Sequence, residues 1–175
     1  MRITLVRHTS VDVPKGMCYG QTDVPLRESF PEEAEIVRSQ LGSEQFDAVF
    51  TSPLSRCVLL ANYCGHTDAI KDCRLMEMNF GDWEMKVWDS IDDPQLNKWY
   101  DDWFHTQATN GESSRQQQLR LKEFYDYLKT TDHSNVLIFT HGGIMIHTLL
   151  LTNAANLDNV FSLQPSYGGI MRIEL

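Results

Sequence analysis

Three short clusters hold the side chains with which this sequence could do chemistry: Arg7-His8, Ser52-Pro53-Leu54-Ser55-Arg56 and His141-Gly142-Gly143. Histidine near neutral pH can serve as nucleophile, base or metal ligand. The planar fork of arginine matches phosphate or carboxylate oxygens. Taken singly, each cluster has an ordinary structural explanation: a strand-end histidine, a charge at a helix start, a tight strand-to-helix turn. Two histidines and two arginines in one pocket have no stability rationale unless a dense anion sits among them. Gly142 and Gly143 would add backbone N–H groups at a helix N-terminus, a second anion-binding device.

The elements that must position these groups are legible as apolar runs rich in β-formers, Ile3–Val6, Ala48–Phe50 and Val136–Phe139, each leading directly into one of the three clusters. They read as buried parallel strands. In open α/β sheets, ligands bind at the carboxyl ends of strands, so the three clusters should converge on one crevice. Pro31–Leu41 reads as a helix, with Pro31 at its start, acidic Glu32, Glu33 and Glu35 early, and Gly42 just beyond its end. Leu54–Cys64 and Gly142–Thr152 read as helices that open directly after strands. Ser113–Thr130 reads as a long amphipathic helix with Leu119, Phe124, Tyr127 and Leu128 inward. The alternating tail Gly168–Leu175 suits an antiparallel edge strand. The predicted fold is therefore a single α/β domain over residues 1–175, a three-layer α/β/α arrangement around a mainly parallel sheet. A helical, aromatic-rich cap or side wall is expected around 86–112, where Trp88, Trp99, Tyr100, Trp103 and Phe104 concentrate.

With 42% hydrophobic and 22% charged residues, the chain has the composition of an ordinary globular protein, and its net charge of -9 argues against a broad nucleic-acid-binding surface. The four cysteines, at 18, 57, 64 and 73, lack zinc-site spacing and are too few for a disulfide scaffold, so reduced thiols are expected. The apolar run before Arg7 is short for a signal peptide, and no run approaches a membrane span. A cytoplasmic protein with no membrane or nucleic-acid partner is the expectation. Composition says nothing of its oligomeric state. A metal hydrolase built on His8 and His141 would lack the carboxylate or cysteine ligands such sites normally need, so no metal and no cofactor are expected, and undiminished activity in EDTA would exclude that reading.

Five segments together, in this order along residues 5–143, resemble the histidine phosphatase superfamily, also called phosphoglycerate-mutase-like. They are Leu5-Val6-Arg7-His8-Thr9, Tyr19-Gly20-Gln21-Thr22-Asp23-Val24-Pro25-Leu26, Thr51-Ser52-Pro53-Leu54-Ser55-Arg56, Met76-Glu77-Met78-Asn79-Phe80-Gly81-Asp82-Trp83-Glu84 and Thr140-His141-Gly142-Gly143. The stretch Glu77 to Glu84 and Asn110-Gly111-Glu112-Ser113 further resemble the α-ribazole phosphatases, which dephosphorylate α-ribazole 5′-phosphate in cobalamin assembly. The resemblance implies a phosphomonoesterase acting on a small phosphorylated metabolite. His8 would attack phosphorus and become transiently phosphorylated. Arg7, Arg56 and His141 would hold the equatorial oxygens. Glu77 would protonate the leaving oxygen and then deprotonate the hydrolytic water, a sequence that requires its carboxyl to hold a proton at the first step. Glu84 is the competing carboxylate, with a structural hydrogen-bonding role as its alternative. Thr9, Gln21, Thr22 and Gly142 are candidate phosphate or substrate contacts, while Asp23 and Pro25 suit turn-making. Thr9 stands where the family has glycine, and Ser10, Asp12 and Lys15 occupy the stretch where it commonly has an asparagine contact. A phosphoglycerate-type mutase uses the same phosphohistidine, and a catalytically weak phospho-ligand-binding module would keep the same pocket.

Overall fold

The computed structural model describes residues 1–175. Its strands and helices, in chain order, are β1 (Arg2–Arg7), α1 (Phe30–Leu41), β2 (Ala48–Thr51), α2 (Ser55–Tyr63), β3 (Ile70–Lys71), α3 (Pro94–Asp101), α4 (Ser114–Leu128), β4 (Asn135–Thr140), α5 (Gly142–Leu151) and β5 (Ile170–Glu174). The sheet runs β3-β2-β4-β1-β5, parallel except for β5, which pairs antiparallel with β1 at the edge. The three runs expected as buried strands, and the alternating tail, are all in this sheet. The two-residue β3 is too short and too exposed to leave a hydrophobic pattern in the sequence.

Side-chain alternation along the strands produces the layers. Ile3, Leu5, Val136 and Ile138 point to one face and pack with Leu121, Phe124 and Leu128 of α4 and Ile144 and Met145 of α5. Val6, Leu137 and Phe139 point to the other and pack with Ala34, Val37 and Leu41 of α1 and Cys57, Leu60 and Ala61 of α2. Two helices thus cover each face, the three-layer α/β/α arrangement predicted.

Helix α1 begins as the sequence suggests, with Pro31 in its first turn followed by Glu32 and Glu33, and Gly42 ends it at φ 60°. In α4 the inner face differs from the expected one. Leu121, Phe124, Tyr125 and Leu128 are buried, whereas Leu119 is 49% and Tyr127 42% exposed. The spacing 121, 124, 125, 128 follows the helical period, and Leu119 falls on the opposite side of it. Ser113 caps α4, accepting from the Gln116 N–H while the Gln116 side chain accepts from the Ser113 N–H.

The aromatic-rich stretch is mostly turn and loop. It contains α3 and a single 3-10 turn, Trp88–Ser90, rather than a set of helices. Trp83, just before this stretch, is fully buried with Leu96, Cys18 and Ala108, against Phe80, Trp88 and Trp99. The Trp83 indole N–H donates to Asp93 at 2.7 Å, so the ring's polar edge is satisfied inside the cluster. None of the helices is long and apolar enough to cross a membrane.

Candidate active site

Parallel pairing of β1 with β4 sets Arg7 opposite Thr140, and the ladder continues one step further as the His8 N–H donates to Thr140 O at 3.0 Å. His8 and His141 therefore leave adjacent strand ends side by side, their ring centroids 5.2 Å apart. Strand β2 ends level with them: the Ser52 N–H donates to Phe139 O, and Ser52 Oγ lies 2.7 Å from His141 Nε2. Helix α2 opens three residues later and carries Arg56 to the same crevice. The convergence of the three clusters is a consequence of sheet register.

His8 is 1% exposed, and its Nδ1 lies 2.8 Å from Thr9 O. A carbonyl oxygen can only accept, so Nδ1 carries the proton and Nε2 keeps its lone pair. Burial, reinforced by the Arg56 and Arg7 charges, lowers the His8 pKa from 6.5 to about 3, although the bond to Thr9 O opposes the shift. His8 is accordingly a neutral imidazole at physiological pH. His141 is held well below its ordinary range by burial and then by Arg56 and His8. Cys57 Sγ lies 3.5 Å from His141 Nε2, and burial raises that thiol's pKa, leaving it protonated.

The cations here lack carboxylate partners. Arg56 is fully buried, and its guanidinium donates to Gly20 O at 2.7 Å and Thr22 O at 3.1 Å, while its Nε has no partner. Arg7 donates to Pro165 O at 2.6 Å, and its Nε is likewise buried and unpaired. Neither forms an ion pair with a carboxylate. Burying such charges without counter-charge is costly. An anion between them would remove that cost. The Thr9 hydroxyl, also buried, has no hydrogen-bond partner.

Glu77 stands on the other side of the α5 N-terminus. Its Oε1 accepts from the Met78 N–H at 3.0 Å and the Gln117 amide at 3.1 Å, and its Oε2 accepts from the Gly143 N–H at 3.2 Å. Arg120 ties the same loop to α4 by donating to Glu77 O at 2.9 Å. The two glycines that open α5 are needed for these approaches. A Cβ on Gly142 would lie 2.3 Å from Gln164 Nε2 and 3.2 Å from Arg7 Cζ; one on Gly143 would lie 2.2 Å from Glu77 Oε1. The first turn of α5 is thus flanked by a cation on one side and a carboxyl on the other.

Glu84 organises the loop that Arg56 holds. It accepts from the backbone N–H groups of Gln21 (2.8 Å), Thr22 (2.6 Å) and Phe80 (3.0 Å) and from the Thr22 hydroxyl. Gln21 donates its side-chain amide to Glu77 O at 3.0 Å. The Gln21 and Thr22 side chains thus already have protein partners. Asp23 accepts from the Ser55 N–H at 2.9 Å and the Ser55 hydroxyl at 2.7 Å, capping α2 from another part of the chain. Beside Glu77 opens a pocket of about 260 Å³ walled by Phe80, Trp88, Trp99 and Trp103, with Gly143, Gln117 and Gln164 at its inner end.

The model of the histidine phosphatase superfamily (branch 1) matches residues 3–175. The chain belongs to that superfamily. Among histidine phosphatases it is 31% identical over 168 residues to the adenosylcobalamin/alpha-ribazole phosphatase of Salmonella typhimurium, spanning 90% of this chain and 83% of the relative. It is 24% identical over 149 residues to phosphoserine phosphatase 1 of Hydrogenobacter thermophilus, spanning 81% of this chain and 71% of the relative. The solved structure of the alpha-ribazole phosphatase of Shigella flexneri superposes with a TM-score of 0.83 at 26% identity, covering all of this chain and 91% of the other.

Several residues that shape the site carry no signal in the sequence. Tyr19 opens the stretch Tyr19–Leu26, but nothing in the sequence marks its side chain. Gln117 and Arg120 are two polar residues among many on α4, and Gln164 and Tyr167 lie in a loop without periodicity.

Proposed function

We propose that this histidine phosphatase is a phosphomonoesterase working through phosphohistidine at His8, on a small metabolite whose leaving group carries an aromatic ring. The reading rests on one observation. A buried neutral imidazole with a free Nε2 sits beside buried Arg56 and partly buried Arg7, neither with a counter-charge, and a fixed carboxyl lines an aromatic pocket.

The roles follow from that geometry. His8 Nε2 attacks phosphorus and the ester P–O bond breaks, with the proton of Glu77 passing to the leaving oxygen. Arg7 and Arg56 face the oxygens on which charge develops, aided by the Gly142 N–H at the α5 N-terminus and by His141. Water then enters from the leaving-group side. Glu77, now a carboxylate, takes its proton; the P–N bond breaks and inorganic phosphate departs. Most of the catalysis is positioning and charge compensation, both built into the apo fold. The aromatic walls supply stacking and burial for a flat leaving group, which makes α-ribazole 5′-phosphate the first ester to test.

Release of phosphate from p-nitrophenyl phosphate, phosphosugars, phosphoglycerates, O-phosphoserine and α-ribazole 5′-phosphate, ranked by kcat/KM, is the test. Aromatic esters should lead the series, and His8→Ala should abolish turnover. Undiminished hydrolysis by His8→Ala, or a series led by non-aromatic esters, would overturn the mechanism or the substrate class respectively.

A further inference from the structure

Two tyrosines from distant parts of the chain meet above His8. Tyr19 and Tyr167 join hydroxyl to hydroxyl at 2.7 Å. The Tyr167 ring lies 5.4 Å from the His8 ring and carries the Arg7 guanidinium over its face at 4.4 Å, while the Tyr19 ring faces the Arg56 guanidinium at 5.4 Å. Each ring thus rests on one of the two unpaired cations, and the hydroxyl bond closes the span between them. Tyr167 is 39% exposed, whereas His8 beneath it is almost wholly covered. Burial and the bond to Tyr167 raise the Tyr19 hydroxyl's pKa, so Tyr19 remains a neutral phenol at physiological pH.

Tyr19 has a second face, toward the aromatic pocket, which it lines together with Glu77, Gly143 and Gln164; His8, Arg7 and Arg56 do not line that pocket. In-line displacement places the leaving oxygen on the far side of phosphorus from His8 Nε2, within reach of Glu77. An ester bound for reaction must therefore run from His8, past Tyr19, into the pocket. Tyr19 thus stands on that path, tied through its hydroxyl to the ring that lies over His8.

We infer that Tyr19, latched to Tyr167, is a specificity-determining residue: an aromatic leaving group entering the pocket takes up the Tyr19 ring and parts the hydroxyl bond, uncovering His8, whereas a compact leaving group finds the latch closed. The inference deepens the phosphomonoesterase reading and rests on it for the route of the ester. Its consequence is that selectivity for aromatic esters arises from access to the nucleophile as well as from contacts in the pocket. The latch is one neutral hydrogen bond near the surface, worth about 1 kcal/mol or slightly less, so removing it should change accessibility by roughly three- to fivefold.

Tyr19→Phe, Tyr167→Phe and the double variant keep both rings and remove only that bond. The first measurement needs no turnover: carbethoxylation of His8 by diethyl pyrocarbonate, read by peptide mass spectrometry, with exposed His105 as internal control. Each single variant should label His8 about three- to fivefold faster than wild type, and the double variant no faster than the singles, because all three break one and the same bond. Unchanged labelling, or gains that multiply in the double variant, would overturn the latch. The second measurement is kcat/KM for O-phosphoserine relative to phenyl phosphate. That ratio should rise by a similar factor in all three variants, and a ratio that stays or falls would overturn the link to specificity. If His8→Ala keeps its activity, the phosphohistidine reading fails, while the labelling arm still reports on the latch.

Discussion

Arg56 offers a perturbation that separates ligand binding from folding. Replacing it with Met keeps the length and removes the charge. Gly20 O and Thr22 O then lose their donors, which costs about 1–3 kcal/mol each, while removal of a buried cation without a carboxylate partner acts in the opposite direction. The change in apo stability is therefore a difference of opposing effects. The shift produced by phosphate within each variant is the cleaner quantity. At orthophosphate one hundred times its Kd, wild type gains about 2.7 kcal/mol by mass action. For 175 residues the unfolding entropy is about 0.37 kcal/mol/K, so the melting temperature should rise by about 7 °C. Loss of two charge-assisted hydrogen bonds to phosphate, together about 3 kcal/mol, weakens Kd roughly a hundredfold and brings the ligand concentration close to Kd. Arg56→Met should then shift by only about 1 °C at that concentration. Differential scanning fluorimetry across a phosphate titration measures both. A wild type that does not respond, or an Arg56→Met variant that responds equally, would refute the assignment of Arg56 to the anion.

Gly143→Ala should displace Glu77, since the new Cβ would lie 2.2 Å from its Oε1. Misplacement by about 1 Å can cost on the order of a hundredfold, so kcat for an alkyl phosphate should fall about ten- to a hundredfold, and less for p-nitrophenyl phosphate, whose leaving group departs without a proton. Equal losses would refute the role given to Glu77. Folding should also respond to acid through His8 and His147, both lowered to about 3, and through His141, lowered well below its ordinary value. Their folded pKa values lie below the unfolded 6.5, so their contribution is complete above pH 6.5 and is lost as pH falls toward 3. At pH 5.5 His8 and His147 together should account for a loss of about 3 kcal/mol and uptake of nearly two protons on unfolding, with His141 adding in the same direction. Calorimetry in buffers of different ionisation enthalpy counts those protons, and uptake near zero would contradict the buried neutral imidazoles.

Much of the sheet was legible because its strands are buried on both faces and read as continuous apolar runs ending in polar clusters. His8, Arg56 and His141 could be brought together from sequence because parallel register delivers strand ends to one level. The inner face of α4 departs from the expected one at Leu119 and Tyr127, since an apolar residue on a long helix does not declare which neighbour will cover it. Arg74 sits over the Tyr127 ring at 5.2 Å, a use for an exposed aromatic that periodicity does not encode. Glu84 is the carboxylate that rivals Glu77 in the sequence. Its four donors come from Gln21, Thr22 and Phe80, and only folding of the loop around it could separate a clamp from an acid. Tyr167 and Gln164 were invisible for a related reason. Their loop reaches the site because β5 returns along β1, a pairing that fixes neighbours without marking them in sequence.

The central claim is covalent, and trapping tests it most directly. The enzyme mixed with p-nitrophenyl phosphate, quenched in alkali within one turnover and digested, should carry an acid-labile phosphoryl group on the peptide containing His8, and none should form in His8→Ala. Rapid turnover with His8 unmodified, or a phosphoryl group carried instead on Ser52 or Cys57, would contradict the account.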